Sequence, residues 1–160
     1  MRRVVLVGVL LVGACGGAAD DTAEASATST TGPSGEPITI RLRLDVADEE
    51  GSEPIATGEV LEGSTLGGSP FCVGGTSLDS HASGDPAVEP YGLIDRTITC
   101  PDGSVRMGFT PDVVPGGGSW TIVSGTGAFE GLRGSGENEV VKDPDDDSFD
   151  LETLTGTVTR

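Results

Sequence analysis

The chain has 160 residues, 26 of them acidic against nine basic, and a formal net charge of −17. That charge repels nucleic acid phosphates and bare anionic lipid, so neither is an expected partner. One histidine and three cysteines leave little from which to build a metal or nucleophilic centre.

The N-terminus reads as an export segment. Met1-Arg-Arg is positive, Val4 to Val12 is apolar except for Gly8, and small residues lead to Cys15. This is a signal-peptide layout, with the cysteine placed as in a bacterial lipobox. The run is shorter than the roughly 20 apolar residues that span a bilayer. Cys15 is the expected lipidation site, diacylated on its thiol. The rival is an ordinary signal peptide cut near Ala14. Residues 16–37 carry no large apolar side chain and so cannot offset the entropy of ordering. The chain divides into a lipoprotein signal peptide (1–14), a lipidated cysteine with a flexible tether (15–37) and one domain (38–160). The membrane, reached through the lipid on the outer face of a bacterial cell, is the expected partner.

The domain reads as short alternating runs separated by Gly and Pro. Ile38, Ile40, Leu42, Leu44 and Val46 face one side of the first strand. Ala56–Leu61 returns as a second strand, and 63–68 reads as loop. Phe71–Val73 is short and extended, and 79–90 reads as loop. Tyr91–Cys100 is a strand with Ile94, Ile98 and Cys100 on one face. Arg96 shares that face, which requires a barrel end or a carboxylate partner. Pro101-Asp-Gly103 signals a hairpin, and Val105, Met107 and Phe109 alternate in the next strand. Pro111 to Gly118 reads as loop. Trp120, Ile122 and Ser124 then share a face. Gly125-Thr-Gly127 breaks that strand, and Phe129 and Leu132, three apart, suit one helical turn that plugs the core. Glu137–Val141 and Phe149–Val158 complete the set, about eight strands with no helical periodicity. An antiparallel β-barrel is expected, with a two-sheet sandwich as the alternative.

Cys72 and Cys100 remain as a pair if Cys15 carries lipid. In an oxidising compartment an even pair favours a disulfide. With His81 they make a poor zinc set for want of a fourth ligand. Asp143, Asp145 and Asp147 alternate as in a calcium loop, but the glycine and terminal glutamate of an EF-hand are missing. A solvated hairpin tip is expected there, and no metal. Neither a P-loop nor a dinucleotide fingerprint is present, so no cofactor is expected.

The run Gly125-Thr-Gly127-Ala-Phe129-Glu-Gly131-Leu132-Arg133-Gly134-Ser-Gly136, after Trp120, resembles the signature of the allene oxide cyclase barrel-like proteins, relatives of plant dirigent proteins. Phe71–Thr76, Cys100–Gly103 and Thr155–Val158 resemble segments of their small secreted bacterial members. The resemblance covers roughly 38–160 and implies an antiparallel barrel of about eight strands. In that family a cyclase uses an inward glutamate near the start of the barrel. The first strand offers only apolar inward residues, and alternation does not place Glu59 or Glu62. No catalytic residue carries over. A structural role is expected for Arg133.

Two functions follow. One is a lipid-anchored, non-catalytic binding or structural module at the cell surface, its protein partner undefined. The other is a barrel that binds or isomerises a small apolar ligand, with Arg96 and Arg106 near its mouth. The interior separates them: a filled core favours the first, a cavity with convergent polar groups the second.

Overall fold

A computed structural model describes residues 35–47, 53–82, 92–111 and 116–160. The export segment, Cys15 and the tether as far as residue 34 lie outside the described residues. So do 48–52, 83–91 and 112–115.

Alternation governs the first strand as the sequence implies. β1 (Glu36–Val46) buries Ile38, Ile40, Leu42 and Leu44 and turns Arg41 and Arg43 outward. It starts two residues before Ile38, because Glu36 and Pro37 already pair with the end of the chain. The other strands are β2 (Ala56–Val60), β3 (Thr65–Leu66), β4 (Ser69–Pro70), β5 (Thr76–His81), β6 (Ile94–Cys100), β7 (Gly103–Pro111), β8 (Gly117–Gly127), β9 (Arg133–Lys142) and β10 (Phe149–Thr159). There is no helix among the described residues.

Eight strands close into an antiparallel barrel in the order β1-β2-β5-β6-β7-β8-β9-β10, and β10 returns to β1. The β3–β4 hairpin continues the edge of β1 beside Ile38 and Thr39. It falls in and beyond the stretch read as loop, where flanking glycines hide two very short strands. Phe71–Val73 is not a strand. Its backbone turns there, with Gly75 N–H donating to Cys72 O at 2.8 Å.

Two phases differ from simple alternation. β5 occupies the start of the stretch read as loop, and it is inverted: Ser77 and Asp79 point inward while Leu78 is exposed. On β8 the register against β7 skips a residue between Ile122 and Ser124, a bulge at Val123. Beyond it the phase reverses, so Ser124 faces solvent while Trp120 and Ile122 stay buried.

One end of the barrel is filled. The Phe129–Leu132 segment forms successive three-residue turns, with Phe129 N–H on Thr126 O and Leu132 N–H on Phe129 O, both at 3.1 Å. Both side chains are buried, and the Phe129 ring lies 5.4 Å from that of Phe71. Beside them Cys72 and Cys100 form a disulfide. Gly75 makes room for it, since a Cβ there would stand 2.3 Å from the Cys72 sulfur. The bridge ties the β4–β5 turn to the end of β6 across 28 residues, so its loss is expected to cost roughly 3–4 kcal/mol. A urea titration with and without reductant reads this as a lowered midpoint. An unchanged midpoint would show that the bridge adds no stability.

Candidate functional site

The other end of the barrel holds charge. Asp79 and Arg96 are direct cross-strand neighbours on β5 and β6. Arg96 Nε donates to Asp79 Oδ1 and Nη2 to Asp79 Oδ2, both at 2.6 Å, a two-point pairing that suits a planar guanidinium. Its Nη1 reaches across the interior to Glu152 Oε2 on β10, the opposite wall. Asn138, on β9, donates from Nδ2 to Glu152 Oε1 at 2.5 Å. Arg96 also lies over the Phe109 ring, 4.4 Å from its centre, a cation–π contact. Arg96, Asp79 and Glu152 retain 4%, 4% and 2% of their surface.

Alternation explains these positions. Glu152 shares a face with Leu154 and Val158, and Arg96 with Ile98 and Cys100. The carboxylate partner that Arg96 required is therefore present twice. Burial raises the Glu152 pKa above the ordinary carboxylate range. The nearby Arg96 charge opposes that rise, and Asp79 adds to it. The two carboxylates in turn raise the Arg96 pKa against the effect of its own burial, so it stays charged. A carboxyl held in this way exchanges its proton closer to neutral pH than an exposed one.

Above this cluster lies a cavity of about 280 Å³. Leu44, Val46, Ile55, Ile94, Phe109 and Val140 supply its apolar walls; Asp79, Arg96, Asn138 and Glu152 supply its polar floor. Asp150 also lines it, and its Oδ1 pairs with Lys142 Nζ at 2.7 Å. Asn138 Oδ1 is shielded from solvent and has no hydrogen-bond partner among the described residues. The same holds for Ser77 Oγ, two positions before Asp79.

Other residues singled out in the sequence lie elsewhere. Arg106 points outward and pairs with Asp95, its Nη2 2.5 Å from Oδ2. Glu59 and Glu62 are exposed, and the inward carboxylates come from β5 and β10 instead. His81 ends β5 and pairs with Glu53 at 2.7 Å on the surface. Asp143 holds Arg43 Nε at 2.7 Å and accepts the Asp145 N–H at 3.0 Å. Those two donors, the backbone one foremost, hold its pKa below the usual range. Among the described residues, no three His, Cys, Asp or Glu side chains are grouped to hold a metal ion.

Trp120 is buried, with Nε1 donating to Glu137 O at 3.0 Å. Gly125 and Gly127 end β8, Gly131 lies in the turn, and Gly134 and Gly136 lie on β9. Exposed Arg133 opens β9, its Nη1 donating to Leu132 O at 2.8 Å. These residues build the filled end and the wall beside it. None of them lines the charged cavity.

No family model, curated protein or solved structure matches this chain.

Proposed function

We propose that this chain is an exported barrel, held at the outer face of the cell membrane by lipid on Cys15, that binds a small and largely apolar molecule in its end cavity. The observation that carries the reading is the buried Asp79–Arg96–Glu152–Asn138 cluster flooring a cavity of about 280 Å³. A barrel of this size can fill its interior with apolar side chains, as the other end does. Burying three charged groups is costly, and an apolar replacement of equal volume is often as stable or more so. Apolar walls with a few convergent polar groups are the usual form of a small-molecule site. The export layout of residues 1–15 and the resemblance to allene oxide cyclase barrel-like proteins support the same reading.

Native mass spectrometry on the full chain, purified gently from its host, tests it. The expected result is a co-purifying small molecule, lost in Val140→Trp, which fills the cavity wall. A molecule retained by Val140→Trp, or a chain that carries none, would overturn the reading.

A further inference from the structure

We infer that the cavity takes an apolar amine, held as its ammonium form against Glu152 and Asn138. This rests on the binding function proposed above and narrows it to one chemical class.

The floor holds two carboxylates and one guanidinium, all nearly inaccessible. Asp150, nearer the rim, has its own cation in Lys142. Burial favours a proton on Glu152, which leaves Arg96 and Asp79 balanced. Once that proton leaves, the buried set lacks one positive charge, and a bound cation can take the proton's place. Arg96 cannot supply that charge, because its single charge already faces both Asp79 and Glu152.

The open valences on the floor are acceptors. Asn138 is among the residues that line the cavity, and its Oδ1, shielded from solvent, has no donor among the described residues. Each carboxylate oxygen has a second acceptor direction beyond the donor it already meets. A bound molecule therefore has to donate. A hydroxyl brings one donor and no charge, whereas an ammonium brings three donors and the missing charge. A carboxylate ligand would add an anion beside Asp79 and Glu152, where like charges are hard to hold.

Size limits the rest of the molecule. At about 30 Å³ per water-sized group, a cavity of about 280 Å³ holds roughly nine such groups. The walls formed by Leu44, Ile55, Phe109 and Val140 offer the apolar body no polar partner on those sides. The fitting ligand is a compact hydrocarbon or aromatic body with one amine at its end.

The test is ligand-observed NMR on the full chain with three probes of one shape: 2-phenylethylamine, 2-phenylethanol and phenylacetate. The expected result is that the amine binds at least tenfold more tightly than the alcohol and that phenylacetate does not compete. Glu152→Gln is expected to bring the amine to the level of the alcohol. Asn138→Leu, which leaves the buried charges in place, is expected to weaken the amine severalfold and serves if Glu152→Gln does not fold. Alcohol and amine binding equally, or phenylacetate binding best, would overturn the amine inference and leave the binding function standing. If none of the three bound, both would fall.

Discussion

Replacing Arg96 with methionine is expected to destabilise the barrel by about 3–5 kcal/mol at neutral pH, the usual cost of removing one partner of a buried ion pair. The substitution leaves Asp79 and Glu152 inside the barrel with no cation between them. Their protonated forms then become the better-tolerated ones, so the deficit narrows as the pH falls. In the wild type the sign for Glu152 is already set. Its folded pKa lies above the ordinary value of 4.5, so the folded state holds that proton more tightly than the unfolded chain. Its contribution is full below the ordinary value and is lost as pH rises through the raised one. Urea titrations across the acid range on both proteins read this directly. A deficit under about 1 kcal/mol would contradict the burial of the cluster. Replacing Asp79, Arg96 and Glu152 together by Leu, Met and Leu is expected to restore stability, because no stranded charge remains.

The second large effect is expected at Trp120. Its ring lies against Gly136 and Gly156, which are cross-strand partners on β9 and β10. A Cβ on Gly136 would fall 2.7 Å from Trp120 Cζ2, and one on Gly156 2.6 Å from the same atom. The two glycines thus form a flat seat for the indole, whose Nε1–H is taken by Glu137 O. Trp120→Ala empties that seat and is expected to cost about 3–5 kcal/mol. Gly156→Ala is expected to cost about 1–3 kcal/mol from the other side, because the new methyl also meets a backbone oxygen that cannot yield. The Ser135 carbonyl would stand 2.3 Å away. Thermal unfolding checks both. A Trp120→Ala protein that melts with the wild type would refute the seat.

The barrel and its filled end were legible because their residues follow simple rules. The alternation of β1 exposes its own inward face, and glycines around Phe129 and Leu132 mark a corner. The Cys72–Cys100 pair was expected on the reading that Cys15 carries lipid outside the cell, and the bridge is present. The charged end was only half legible, since Arg96 announced itself as an inward charge needing a carboxylate but its partners did not. Asp79 sits on a strand where Ser77 and Asp79 face in and Leu78 faces out, the reverse of the pattern that marks a strand. Glu152 carried a usable signal, the parity it shares with Leu154 and Val158. Asn138 becomes informative only when β9 is laid beside β10. The bulge at Val123 turned Ser124 around, and nothing in that run of residues signals a skipped partner.

The seam between β1 and β10 sets the order in which this molecule can become itself. Pairs such as Glu36 with Val158 and Leu44 with Asp150 join the first strand to the last. A chain emerging N-terminus first presents β1 with an edge that stays bare until β10 arrives. Until then the sheet is an open ribbon with two free edges, the form most prone to pairing with a neighbouring chain. Long-range closure of this kind is also slow to find. A nascent chain delivered as a thread, through a ribosome or a membrane pore, therefore meets no finished barrel to unravel. Its many carboxylates repel other copies while the last strand is still awaited.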